Sequence, residues 1–176
     1  MVASALAEEG VRFHACLYTP LVTLCVFLSQ VLDPDHSGRA AVARLIVWLA
    51  INRRKPCAPE TNSYCEARQR LPLGVVVRLV RQTARELEDR APEAWLWKGR
   101  RVALVDGTTA SMPDSEENQK AFPQSKAQGI GLGFPLVRRV AIIALATGVV
   151  RDLAHGPYQG KETGETALFR TLWKGL

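Results

Sequence analysis

The sequence predicts an α+β chain, with an all-helical first part followed by a few strands and a closing helix. Three observations predict it. Apolar residues recur at helical spacing through most of the first hundred positions. The character changes at Lys98, where short Val- and Ile-rich runs bounded by glycine begin. Helical spacing then returns from Thr166 to Trp173. The expected division is residues 1–97 and residues 98–176.

Each element has a local reason. Leu21, Leu24, Cys25, Leu28 and Leu32 follow Pro20 at helical spacing and are expected on the core face of a first helix. Asp33-Pro34-Asp35-His36 is a turn, and Ser37 is a suitable N-cap. Val42, Leu45, Ile46 and Leu49 mark the second helix, which the Arg53-Arg54-Lys55-Pro56 run terminates. Asn62 or Ser63 is expected to cap a third helix holding Tyr64, Ala67 and Arg68. Pro72 and Gly74 introduce a fourth, reaching about Asp89, with Val76, Leu79, Val80, Thr83 and Leu87 on one side. Opposite them Arg78, Arg81 and Arg85 fall within about 60° of each other. That stripe reads either as a solvated face, with Arg85 paired to Asp89, or as a row of phosphate contacts.

Beyond Lys98, Arg101 to Thr108 reads as a buried apolar strand that ends in Asp106-Gly107. A polar loop is expected from Ser111 to Gln128. Leu136–Ala146 and Val149–Ala154 form a hairpin around Thr147-Gly148. Arg138 and Arg139, adjacent on a strand, point to opposite sides. Three strands and one helix make an incomplete sheet layer, so the chain reads as a piece of a longer protein.

Composition narrows the function classes. The chain has 176 residues, 47% of them hydrophobic, which excludes disorder as a description of the whole. Its 23 Lys+Arg against 17 Asp+Glu give a net charge of +6, a mild bias toward an acidic partner such as nucleic acid. Cys16, Cys25, Cys57 and Cys65 show no zinc-ligand spacing and read as reduced cytosolic cysteines. The uncharged run from Phe13 to Leu32 nears membrane-spanning length, but Thr19, Pro20, Thr23, Ser29 and Gln30 interrupt it, and a buried helix is expected. His14, expected in the core, and His36 and His155 in loops have no nucleophile partner, so a hydrolase triad is unsupported.

Asp106 is the candidate catalytic residue. A carboxylate on a strand beside glycine can reach a crevice and ligate Mg²⁺, although Asp-Gly is also a common turn pair. Asp114, Glu116, Glu117, Asp152, Glu162 and Glu165 are the available second ligands, and none is convincing from its position.

Several blocks resemble the DDE transposases of the insertion-sequence-four type. They are Ser29-Gln30-Val31-Leu32 with Asp35-His36-Ser37 and Arg39 to Arg44, then Asn62 to Pro72. Val102 to Thr109 with Met112-Pro113-Asp114 and Asn118 follows, and then Phe122 to Ser125 with Gly129 to Pro135. Gly156 to Lys161 with Gly164-Glu165 completes the set. The resemblance implies a helical DNA-binding region before the first three strands and first helix of an incomplete ribonuclease-H-like core. In that family two aspartates and a glutamate hold two Mg²⁺ or Mn²⁺ ions for phosphodiester hydrolysis and strand transfer, with Asp106 matching the first aspartate. The other two carboxylates have no match in this chain, so the fragment is expected to be inactive alone and not to hold the metals. The resemblance also implies double-stranded DNA at transposon inverted repeats as partner, a homodimer of the complete enzyme, and a cytoplasmic, nucleoid-associated location without a membrane. Arg53, Arg54, Lys55, Arg68, Arg78, Arg81 and Arg85 are the expected DNA contacts. The alternative is a non-catalytic DNA-binding module, or a partial protein that interferes at transposon ends.

Overall fold

A computed structural model describes residues 6–7, 16–129 and 131–173. Six α-helices, one 3₁₀ turn and one three-stranded antiparallel sheet occur among them. The helices are α1 (Pro20–Leu32), α2 (Gly38–Ile51), α3 (Asn62–Arg70), α4 (Leu73–Asp89), α5 (Glu116–Ala121) and α6 (Glu165–Trp173). The strands are β1 (Ala103–Ser111), β2 (Leu136–Ala144) and β3 (Val150–Pro157), in the spatial order β1-β2-β3. The chain separates into two compact units, Met1–Leu79 and Val80–Leu176, so α4 runs from one into the other. His14 lies outside the described residues. No helix among the described residues is long and apolar enough to cross a membrane.

In the first unit Val26 of α1, Ala41, Val42, Leu45 and Leu49 of α2, and Tyr64 of α3 form the core. Leu6, Val75 and Leu79 make a second cluster with Leu24. Ser37 caps α2 as expected, its hydroxyl accepting the Ala40 N–H at 3.1 Å. The expected α1 face is wrong. Thr23 and Val26 are the buried residues, while Leu21, Leu28 and Leu32 are half to mostly exposed and Cys25 is exposed. An α1 that is apolar nearly all round carries no periodic mark of which side meets α2 and α3. The α3 cap is also corrected: Thr61 occupies it without a side-chain bond. On α4 the buried positions are Val75, Leu79, Ala84 and Glu88, whereas Val80 and Leu87 stay nearly half exposed.

In the second unit β1 pairs with β2 and β2 with β3. α6 packs on one face of the sheet, where Leu168 and Leu172 bury Val140 and Ile142. Two strand expectations need correction. β1 is not buried: it is the edge of the sheet, and Leu104 and Val105 are each 47% exposed. Asp106 therefore sits inside an exposed strand and not at the end of a buried one, because β1 continues to Ser111. The expected Ser111–Gln128 loop holds α5, whose N-terminus Ser115 caps through the Asn118 N–H at 3.2 Å. Glu116 and Glu117 in its first turn suit the helix dipole.

Candidate functional site

Asp106 belongs to the sheet face opposite α6. It stands across from Ala141, which stands across from Leu153. Strand alternation puts Leu104 and Thr108 of β1, Arg139 of β2 and His155 of β3 on this same face. Asp106, Arg139, Leu153 and His155 are all exposed. The Asp106 Oδ1 accepts the Gly107 N–H at 2.9 Å. Arg138, by contrast, reaches the other side, where Nη1 donates to the Thr163 carbonyl at 3.0 Å and the guanidinium lies 4.8 Å over the Tyr158 ring. The expected opposition of Arg138 and Arg139 is what the strand produces.

The candidate second ligands do not gather around Asp106. Asp152 is buried and binds Arg81, whose Nη2 lies 2.8 Å from Oδ2 and 3.0 Å from Oδ1. Glu165, the first residue of α6, lies against Gly107 so closely that a β-carbon there would overlap its carboxyl carbon. Gly107 faces away from Asp106, so this carboxylate is on the far side of the sheet. Asp114 accepts the Gln119 side-chain amide at 2.8 Å. A hydrogen bond from its own backbone N–H, and then one from the Ser115 hydroxyl, hold the Glu117 carboxyl below its ordinary range. No group of three or more His, Cys, Asp or Glu residues able to hold a metal ion occurs among the described residues. The described carboxylates do not fit a two-ion centre.

The basic residues expected to meet DNA take up distinct positions. Arg53, Arg54 and Lys55 are exposed just after α2, with Arg53 in the left-handed region at φ 54°. Arg78 and Arg85 are exposed on α4. Arg81 is half exposed and engaged with Asp152. Asp89, considered as a partner for Arg85, accepts from Arg101 at 3.1 and 3.2 Å. Arg68 lies 4.9 Å over the Phe27 ring and 5.6 Å over the Tyr64 ring, and it donates to Gln30 at 3.3 Å.

Gln30 is the residue that sequence reasoning undervalued. Its Oε1 accepts the Tyr64 hydroxyl at 2.7 Å, its Nε2 donates to the His36 carbonyl at 2.6 Å, and its own carbonyl meets His36 Nδ1 at 3.1 Å. Beside it Arg44 donates to the Ser29 carbonyl at 3.2 Å and pairs with Asp33 at 2.9 Å. Several sequence blocks separated by up to 38 positions thus meet in one polar network. Gln30 and Arg44, polar residues within otherwise apolar helices, were the available signal. Burial pushes the Tyr64 phenol above its ordinary value. Burial, with Cys57 nearby, pushes Tyr18 up to about 12.

Two curated relatives match the chain. The transposase InsG for insertion sequence element IS4 of Escherichia coli (strain K12) is 27% identical over 164 residues, which cover 92% of this chain and 36% of the relative. A second protein of that strain named as a transposase, InsZ, is 30% identical over 109 residues, covering 58% of this chain and 34% of the relative. The chain spans about a third of the length of the curated relatives it matches. No family model matches it, and neither does any solved structure. The resemblance to insertion-sequence-four transposases drawn from the sequence blocks is shown by these relatives.

Proposed function

We propose that this chain is the amino-terminal part of a transposase that cuts and rejoins DNA at the ends of an insertion element. The similarity to a named insertion-element transposase along 92% of the chain carries this reading. The exposure of Asp106 on its sheet face supports it, because a carboxylate that acts on a DNA backbone has to be reachable by it. Arg139 on the same face, and Arg53, Arg54, Lys55 and Arg85 elsewhere, are exposed and placed for phosphate contact, while Arg68 and Arg81 are partly committed to other groups.

Asp106 is proposed as one of the carboxylates that hold the divalent ions, Mg²⁺ or Mn²⁺, in the complete enzyme. The described residues offer it no second carboxylate, so no chemical step is assigned to this chain by itself. Its proposed partner is double-stranded DNA of the element's ends, and the ribonuclease-H-like arrangement of the core is part of the same proposal.

A gel-shift titration with duplex DNA at two salt concentrations tests the reading. Binding that weakens steeply with salt is expected, together with no Mg²⁺-dependent nicking by the 176-residue chain. Asp106→Ala leaves that binding unchanged, and in a longer relative carrying the full carboxylate set it abolishes cleavage. No duplex binding at low salt overturns the DNA reading. Nicking by this chain that Asp106→Ala removes overturns the assignment of an incomplete site.

A further inference from the structure

The segment from Arg90 to Arg101 in the second unit belongs to neither the sheet nor the polar network, yet it holds two of the chain's four tryptophans. Trp95 closes the 3₁₀ turn Glu93–Trp95 and is 59% exposed, and Trp97 is 56% exposed. Trp97 and Arg100 pair through two backbone hydrogen bonds of 3.1 and 3.0 Å. Lys98 and Gly99 between them both have positive φ, 51° and 72°, the signature of a tight two-residue hairpin turn. Lys98 Nζ lies 5.2 Å from the Trp97 ring centre. Arg90, Lys98 and Arg100 are exposed, Glu93 is the only acid between Arg90 and Arg101, and Asp89 engages Arg101.

A solvated turn gains nothing from two indoles, which are the largest apolar side chains available. Exposed aromatic faces among cations, held on a stiff turn, are what unpaired nucleotides require: a π-face for each base and a cation for each phosphate. Stacked duplex DNA keeps its base faces hidden and offers only the second of these. We infer that the Trp95–Arg100 hairpin binds unpaired nucleotides of a DNA strand. Bases stack on Trp95 and Trp97, and Lys98, Arg100 and Arg90 meet the backbone. The choice of DNA as the nucleic acid rests on the transposase reading, whereas the stacking geometry does not.

Fluorescence anisotropy with a labelled oligothymidylate and with a random-sequence duplex of equal length tests this. The intact chain binds the single strand. Trp95→Ala with Trp97→Ala weakens that binding about tenfold or more and leaves duplex affinity unchanged. Phenylalanine at both positions restores most of it, and Lys98→Ala with Arg100→Ala flattens its salt dependence. Urea unfolding of each variant shows that the fold persists. The inference is overturned if the intact chain ignores the single strand or if the double alanine variant binds it equally well. It is also overturned if that variant changes only self-association, which would make the hairpin a contact between copies. Duplex binding without single-strand binding rejects the hairpin site alone. Single-strand binding without duplex binding rejects the transposon-end reading alone.

Discussion

Arg81 on α4 and Asp152 on β3 form a charge-assisted contact, with one guanidinium nitrogen 2.8 and 3.0 Å from the two carboxylate oxygens. A second pair runs beside it, Arg151 Nε to Glu88 Oε2 at 3.1 Å. Positions 81 and 88 are two helical turns apart and share one side of α4. Consecutive strand residues ordinarily face opposite ways, so Arg151 and Asp152 should not both reach one helix. The register breaks here: Asp152 pairs with Ile142 and Val150 with Ile143, which leaves Arg151 bulged out of the ladder. The bulge re-aims Arg151 and lets adjacent residues serve the same helix face.

Because Asp152 is buried and Arg81 half exposed, the two halves of this contact are unequal. Arg81→Ala strands a buried carboxylate and is expected to cost about 2 kcal/mol. Asp152→Asn keeps an acceptor for the guanidinium and is expected to cost about 1 kcal/mol. Urea unfolding of both variants gives the comparison. Equal losses would show that the pair is only a surface contact.

The first unit is expected to weaken at high pH. Burial, with Cys57 nearby, raises Tyr18 to about 12, above its ordinary value of 10.0. The folded state then holds the phenolic proton more tightly than the unfolded chain does. Stability is complete below pH 10 and falls between roughly pH 10 and 12 as the unfolded phenol ionises first. Tyrosinate absorbance and helical circular dichroism followed together report it, and Tyr18→Phe should flatten the decline. A decline unaltered in that variant would assign the effect elsewhere.

Gln124 is expected to hold the glycine-rich end of its loop through its side-chain amide. Its amide donates to the Gly129 carbonyl at 2.7 Å and accepts the Gly131 and Gly133 N–H groups at 3.2 and 3.1 Å. Gln124→Ala should speed amide exchange at Gly131 and Gly133 about tenfold or more while costing global stability less than about 1 kcal/mol. Unchanged exchange at these two glycines would mean that backbone contacts suffice.

The outer side of β1 is an open edge among the described residues, and Leu104 and Val105 on it are half exposed. Such an edge recruits other strands. Light scattering should show association of the chain that rises with concentration, and Leu104→Lys should reduce it. Association that persists undiminished in this variant would place the contact elsewhere, for instance at exposed Leu32 and Ile51.

The order of elements was legible because it depends on local chemistry. Pro20 and Ser37 start helices, Thr147-Gly148 turns a hairpin, and the Val- and Ile-rich run at Leu136 favours a strand. Faces were less legible. α1 is apolar on several sides, so its burial at Thr23 and Val26 was set by what α2 and α3 present to it. α5 was missed because its six residues, five of them polar, carry no apolar stripe, although Ser115 with two following glutamates is a start signal.

The sequence by itself determined the two-part α+β order, the excess of positive charge and the marking of Asp106 as the residue to watch. Only the tertiary structure decided that Asp106 lies on an exposed sheet face with no second carboxylate beside it among the described residues, that Asp152 is spent on Arg81, and that Gln30 unites Tyr64, His36 and Arg68. The physical reason is range. Caps, turns and periodicity act within a few residues, whereas strand register, bulges and ion pairs join positions that only folding brings together.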